Sequence, residues 1–102
     1  MADEKYKVEA VATALDILEL ISKQRQEPIG AKEIAQELRV NHTTAFRLLL
    51  NLDSKNYVRK VGDKYVLGMA AALLWARYRS SLDLQIEKLE EEKRTLDIPE
   101  EA

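Results

Sequence analysis

The short connection between two helical patterns is the feature that most limits how this chain can fold. Apolar residues recur at helical spacing through residues 34–38 and again through residues 45–52. Only Arg39, Val40 and Asn41 separate the end of the first pattern from the start of the second helix. Asn41 can cap that helix, because its side chain can accept a hydrogen bond from a backbone N–H two or three residues further on. Two helices joined by about three residues are typical of a helix-turn-helix.

The second of these helices has an unusual outward face. At about 100° per residue, its core side is formed by Ala45, Leu48, Leu49 and Leu52. Thr43 and Arg47 point the opposite way, and Thr44 and Asn51 lie on one flank. Short hydroxyls allow a helix to approach a surface closely, and a guanidinium suits phosphate or guanine. The alternative is that these are ordinary first-turn residues and a solvated arginine.

Three other side chains of this helix allow more than one interpretation. His42 is the only histidine in the chain, so an exposed first-turn position is expected, with contact to a phosphate as an alternative. Phe46 and Leu50 lie one turn apart on a side edge. We expect them to pack under a neighbouring element, although a thymine methyl group would suit either side chain.

A basic β-hairpin is predicted directly after this helix. Residues 57–61 and 64–67 are rich in β-branched and aromatic side chains, and Gly62-Asp63 forms a two-residue turn between them. Arg59, Lys60 and Lys64 cluster near its tip. A helix-turn-helix followed by such a hairpin is the winged-helix arrangement. Lysines are also common on hairpins as solubilising, edge-protecting residues, but the two features together favour nucleic acid.

The first helical segment, about residues 8–23, carries a wider apolar arc than a surface helix needs. One set of apolar residues, which shares one face, consists of Val8, Val11, Leu15 and Leu18. A second set, which extends that face around the helix, consists of Ala10, Ala14, Ile17 and Ile21. We expect part of this arc to face the C-terminal helix or another subunit.

Residues 69–96 form one pattern of helical spacing, which ends at Asp97-Ile98-Pro99. Its 28 residues would span about 42 Å, longer than a winged domain is wide. An imperfect seven-residue repeat indicates a coiled coil and consists of Ala72, Trp75, Leu82, Ile86, Leu89 and Leu96. Glu90 and Glu92 flank this seam, which leaves an antiparallel crossing or packing on the first helix as alternatives. The predicted dimer interface is Ala10, Ala14, Ile17, Ile21, Trp75, Leu82, Ile86 and Leu89.

Charge is distributed unevenly along the chain. The net charge is −2, but residues 41–68 contain five Lys/Arg against two Asp/Glu, and the flanking segments are acidic. Positive charge therefore falls where contact with nucleic acid is predicted. We expect modest affinity for random DNA that falls further with salt.

Several other classes of function are disfavoured by the residue content. With one His, no Cys and no glycine-rich phosphate loop, the sequence contains no catalytic constellation, and we expect no enzyme activity, metal or cofactor. The longest apolar run, residues 69–76, is too short to cross a bilayer, and the N-terminus lacks the apolar core of a signal peptide. We expect a cytoplasmic protein without a membrane partner. No pocket for a small-molecule effector is evident.

Residues 8–74 resemble the IclR-type bacterial transcription regulators. The more specific blocks are "NHTTAFRLLLNLDSKNYV" and "KYVLG", and "ALDILELI" and "AKEIAQEL" also fit. The resemblance implies a DNA-binding winged helix that dimerises through its first helix and the helix after the wing. It also implies that Thr43, Thr44 and Arg47 face the groove, with Arg59, Lys60 and Lys64 on the wing.

The sequence departs from that family in three places. Gly30 stands where a serine is usual, which costs little at a helix N-cap, and Glu33 is in position to reach back to the helix start. Asn56 replaces the usual glycine before Tyr57, which still suits a left-handed helix exit. Family members also carry a longer effector-binding domain, which nothing in this sequence can supply. The chain is expected to be either a single-domain relative or an excised N-terminal part.

The sequence thus predicts a mainly α fold: a winged helix-turn-helix over residues 1–68, a dimerisation or linker helix over 69–98, and a disordered tail over 99–102. We expect a homodimeric transcriptional regulator that binds double-stranded DNA at an inverted repeat, with residues 42–55 in the major groove and residues 57–67 on the backbone or minor groove. The predicted base contacts are Thr43, Thr44, Arg47 and Asn51. The predicted phosphate contacts are Asn41, His42, Arg59, Lys60 and Lys64. The alternative is a winged-helix module that binds another protein.

Overall fold

The computed structural model describes residues 5–97 and confirms the mainly α, winged helix-turn-helix fold. The elements are α1 (Glu9–Lys23), β1 (Ile29–Gly30), α2 (Ala31–Leu38), α3 (His42–Ser54), β2 (Val58–Val61), β3 (Lys64–Leu67) and α4 (Met69–Leu96). The chain divides into two compact units between Ala72 and Leu73. The tail predicted at residues 99–102 lies outside the described residues.

The turn between α2 and α3 forms as the sequence predicts. Arg39 ends α2 in the left-handed conformation with a φ of 57°, and the Val40 N–H donates to the Ala35 carbonyl at 3.0 Å. The Asn41 side chain then caps α3, since its Oδ1 accepts the Thr43 N–H at 2.7 Å. These bonds fix where the outward side of α3 points relative to α2.

The hairpin is confirmed, and it belongs to a three-stranded antiparallel sheet in the order β1-β3-β2. Val61 pairs with Lys64 across the Gly62-Asp63 turn, and Gly62 has the positive φ, 66°, that glycine adopts at little cost. The sequence did not predict β1, because two residues are too few to show a strand periodicity. Ile29 pairs with Tyr65, and this pairing joins the start of α2 to the wing.

The core of the first unit contains side chains from all three of its complete helices and from the sheet. The most deeply buried large side chains are Ile17, Ile34, Leu49 and Val58. Ala45 and Leu49 are buried, and Leu48 and Leu52 are half-buried against the core, which confirms the predicted inner side of α3.

The structure corrects the assignment of Ile17 and Ile21 to a dimer interface. Both are buried within the first unit, where α1 contacts α2, α3 and β3, so neither is available to a second chain. The accessible apolar strip of α1 is the one formed by Val8, Val11 and Leu15, which are 58%, 58% and 60% exposed. Leu18, which the sequence places on the same face as these three, is half-buried against the core.

The two alanines of α1 and the second unit are compatible with the predicted interface. Ala10 is exposed and Ala14 is half-buried. Within Met69–Leu96 no side chain is buried, and the seam predicted from the seven-residue repeat is accessible. The Arg79 guanidinium lies over the Trp75 ring at 5.3 Å, and Arg94 pairs with Glu91 at 2.7 Å. These contacts join residues only three or four positions apart in the sequence.

The helix exit after α3 depends on a close approach at Gly68. Asn56 has a φ of 65°, as expected for a residue that replaces glycine there, and its carbonyl accepts the Ala70 N–H at 2.9 Å. A Cβ atom at Gly68 would overlap the Asn56 carbonyl. We therefore expect Gly68→Ala to lower the free energy of unfolding by about 1–3 kcal/mol, the usual cost of overpacking.

Urea denaturation followed by circular dichroism measures this effect. Gly30→Ser is the matched control, because a Cβ there would come no closer than 3.4 Å to Glu33 Oε1, and serine is a good N-cap. The control should be as stable as the parent chain or slightly more so. Equal stability of Gly68→Ala and the parent would contradict the close approach.

Candidate nucleic-acid interface

The outward face of α3 is exposed in the first unit. Thr43, Thr44 and Arg47 all have exposed side chains, whereas the leucines and Ala45 on the other side of the helix are buried or half-buried. Among the described residues, no hydrogen bond engages the side chain of Thr43 or Arg47. The hydroxyl and the guanidinium are therefore free to bind an external partner.

The predicted polar residues at the two ends of this face are partly engaged within the helix. Asn41 uses its side-chain oxygen for the cap of α3. Asn51 is exposed, but its Nδ2 donates to the Arg47 carbonyl at 2.8 Å. The amide has a second N–H donor, and its Oδ1 accepts no hydrogen bond among the described residues, so both groups stay available for a contact with adenine.

The basic side chains of the wing are all exposed, but they do not lie on one face. Opposed residues in an antiparallel pair share a face of the sheet, and the register places Lys60 opposite Tyr65 and Val61 opposite Lys64. Lys60 therefore lies on the same face of the sheet as Tyr65, while Arg59 and Lys64 lie on the opposite face. The cluster predicted at the hairpin tip is thus divided between two sides of the wing.

A cleft of about 440 Å³ lies between the start of α2, the start of α3 and the wing. It brings together His42 and Phe46 of α3 with Lys60 and Lys64 of the wing, which are far apart in the sequence. Three of the predicted phosphate contacts, His42, Lys60 and Lys64, therefore line this cleft, although Lys60 and Lys64 extend from opposite faces of the sheet. Asn41 and Arg59 do not line it.

Lys32, in the first turn of α2, also lines this cleft, although the sequence pattern did not predict it as a site residue. The pairing of Gly30 with Lys64 places the start of α2 beside the wing. The only sequence signal for this arrangement is an isolated β-branched residue, Ile29, between Pro28 and Gly30. Such a signal is too weak to predict a strand.

The prediction that Phe46 and Leu50 pack under a neighbouring element is wrong. Their side chains are 42% and 49% exposed, because the body of the domain covers the Ala45 and Leu49 side of α3 and leaves these two residues beyond its edge. Phe46 reaches the cleft described above. Leu50 lies nearer the centre of the outward face.

Charged side chains of both signs line the cleft, and the lysines outnumber the acidic residues. Lys32, Lys60 and Lys64 line it together with Glu33 and Asp63. The Glu33 carboxylate accepts the Gly30 N–H at 3.1 Å and so serves the start of α2. At the base of the cleft, burial raises the pKa of the Tyr65 phenol, and the negative charge of Asp53 raises it further.

Neither a metal-binding cluster nor a membrane-spanning helix is found among the described residues. Residues 5–97 hold no group of three or more His, Asp or Glu side chains arranged to hold a metal ion. Over the same residues, each helix is too short or too polar to cross a membrane.

The fold and the exposed face of α3 place the chain in the class of winged helix-turn-helix domains. Residues 10–62, more than half of the chain, match the IclR helix-turn-helix domain. The chain therefore belongs to the IclR family of transcription regulators.

Solved structures of two family members are similar to this chain. An IclR transcriptional regulator from Alicyclobacillus acidocaldarius is 35% identical, with a TM-score of 0.67 over 72% of this chain and 30% of that chain. An IclR family transcriptional regulator from Brucella abortus is 25% identical, with a TM-score of 0.68 over 76% of this chain and 30% of that chain. The chain thus spans about a third of the length of these relatives.

A more distant structure shares the fold. MepR, a transcription regulator of the Staphylococcus aureus multidrug efflux pump MepA, is 21% identical, with a TM-score of 0.56 over 83% of this chain and 69% of that chain. At this identity the likeness shows the winged fold alone. A comparison with curated proteins gives no match.

Proposed function

We propose that this chain binds double-stranded DNA with sequence selectivity and regulates transcription as a homodimer in the bacterial cytoplasm. In this proposal α3 enters the major groove, and the wing lies on the backbone or in the minor groove. The observation that carries it is the free Thr43 and Arg47 face of α3 beside a lysine-lined cleft. A helix held by its apolar side, with short polar groups outward, fits a groove that admits an α-helix.

The residues divide into two roles. Base edges are contacted by Thr43, Thr44, Arg47 and Asn51, which has one N–H donor and Oδ1 not engaged within the helix. Phosphates are contacted by Asn41, His42, Arg59, Lys60 and Lys64, and we add Lys32 because it lines the same cleft as the wing lysines. Contacts of the first kind give selectivity, and those of the second kind give affinity that depends on salt.

The proposed dimer uses the accessible apolar side chains of α1 and α4. On α1 these are Val8, Val11 and Leu15, together with Ala10 and Ala14. On α4 they are Trp75, Leu82, Ile86 and Leu89. Two copies related by a two-fold axis would bind an inverted repeat, because each copy would contact one half-site.

Fluorescence anisotropy with labelled genomic fragments, titrated at two salt concentrations, tests the proposal. We expect some fragments to bind at submicromolar dimer, more weakly at the higher salt, while random fragments bind less tightly. If no fragment binds at micromolar dimer, a protein-interaction module becomes the better description. The exposed Phe46 and Leu50 side chains are the observation that favours that second candidate.

The wing lysines and arginine should control the salt dependence of binding. We expect the triple variant Arg59→Gln, Lys60→Gln, Lys64→Gln to lower the slope of log K against log salt by about 0.9 for each phosphate that is no longer neutralised. The slope is measured by anisotropy over a series of potassium chloride concentrations.

A second triple variant, Arg77→Gln, Lys88→Gln, Arg94→Gln on α4, removes the same charge from exposed positions outside the proposed DNA interface and off the seam of the repeat. It should leave the slope unchanged. Equal slopes for the wing variant and the parent chain would remove the wing from the interface.

A further inference from the structure

Two large apolar side chains lie on the surface of α3 that is proposed to enter the groove. Thr43, Phe46, Arg47 and Leu50 are spaced at i, i+3, i+4 and i+7, so they form one continuous face of the helix. Leu50 is 49% exposed and Phe46 is 42% exposed. The face is therefore mixed, with a hydroxyl and a guanidinium next to two apolar groups.

The fold does not account for the apolar character of these positions. Neither Phe46 nor Leu50 belongs to the buried core or to the half-buried side chains packed against it. Polar residues with strong helix propensity would serve equally well at exposed positions of a helix. An external apolar contact would explain them.

We propose that Leu50, with Phe46 beside it, contacts the C5 methyl group of thymine in the major groove. This inference rests on the proposed function and specifies part of the sequence preference. The thymine methyl is the apolar group that base pairs present in the major groove. Arg47 lies three residues before Leu50 and next to Phe46, so the half-site would contain thymine close to the base bound by the guanidinium.

Charge favours DNA over a protein as the occupant of this face. Residues 41–68 contain five Lys/Arg against two Asp/Glu, whereas the segments before and after are acidic. Phe46 also lines the cleft that contains Lys32, Lys60 and Lys64. The apolar side chains are thus bordered by cations that suit the phosphates on either side of a groove.

Replacement of single thymines by deoxyuridine tests the inference, because uracil differs from thymine only by the absent methyl group. The substrate is a duplex selected by the parent chain from a random pool, and each thymine is replaced in turn. For the parent chain, we expect the affinity to fall about fourfold at one or more thymines of each half-site, which is the effect of burying one methyl group.

Leu50→Ala should bind the thymine duplex more weakly and show a thymine-to-uracil affinity ratio near one at the position that Leu50 contacts. Phe46→Ala should lower the thymine-to-uracil affinity ratio at a neighbouring thymine, to a value as low as one. Leu84→Ala, which alters an exposed leucine of α4, should keep the ratios of the parent chain. Circular dichroism melting checks that each variant is folded.

Two results would overturn the inference while leaving the proposed function intact. The first is an affinity of the parent chain that does not change at any thymine replaced by deoxyuridine. The second is that both Leu50→Ala and Phe46→Ala keep the thymine-to-uracil affinity ratios of the parent chain. In either case the thymine duplex would still be bound selectively. Failure of the parent chain to select any duplex would instead overturn the proposed function, and this inference with it.

Discussion

Arg47→Ala is expected to lower the affinity for the operator by about 30-fold or more and to leave the fold intact. A good side-chain contact to a base edge is worth about 1–3 kcal/mol, and a two-fold dimer makes two such contacts. The guanidinium makes no hydrogen bond or ion pair within residues 5–97, so its removal should not destabilise the domain.

Anisotropy titrations with an operator duplex and a random duplex measure this effect. Affinity for the operator should fall much more than affinity for the random duplex, because a base contact contributes selectivity. Arg77→Ala, which removes an exposed arginine of α4, is the control and should bind the operator as the parent does. Full, sequence-selective binding by Arg47→Ala would contradict the assignment of this face to the groove.

Ile17→Ala is expected to lower the free energy of unfolding by about 2–5 kcal/mol. Ile17 is fully buried among the side chains of the first unit, so truncation loses apolar burial and leaves a cavity in the core. A loss of this size is a large fraction of the stability of a small domain.

Val11→Ala is the matched control on the same helix. Val11 is exposed in the first unit, so truncation should change the unfolding free energy of the domain by less than about 0.5 kcal/mol. Because Val11 belongs to the proposed dimer interface, the Val11→Ala dimer should also dissociate at a higher protomer concentration than the parent dimer.

Urea denaturation and sedimentation, both performed at matched protomer concentration, separate the two effects. An Ile17→Ala variant with parental stability but a weakened dimer would restore the interface assignment that the structure rejects.

The parts of the fold that could be predicted from the sequence are those fixed by local chemistry. Asn41 predicted the start of α3 because an asparagine cap is satisfied by N–H groups of the same turn. Gly62 predicted the hairpin because the turn needs a positive φ at that residue. In each case the determining interaction lies within a few residues.

The parts that could not be predicted depend on partners distant in the sequence. The arc of α1 was recognised as too wide, but periodicity does not tell which side meets the core, and Ile17 and Ile21 were placed on the wrong one. The strand β1 exists because Ile29 pairs with Tyr65, and a pattern of two residues has no period.

The same distinction between local and distant determinants applies to the residues of the candidate site. Thr43 and Arg47 were predicted correctly as exposed, because the leucine pattern of α3 defines the opposite side. Lys32 was missed because only the pairing of β1 with β3 places it beside the wing. The exposure of Leu50 was also missed, since an apolar residue at the edge of an amphipathic helix is more often covered than free.

Selection of bound duplexes from a random DNA pool tests most directly whether the Thr43 and Arg47 face of α3 binds in the major groove. For the parent chain, the pool should become enriched in an inverted repeat whose half-sites are separated by one helical turn or a multiple of it. The same selection with Arg47→Ala should lose the preference at one base pair in each half-site. A pool that shows no enrichment after selection by the parent chain would contradict the account.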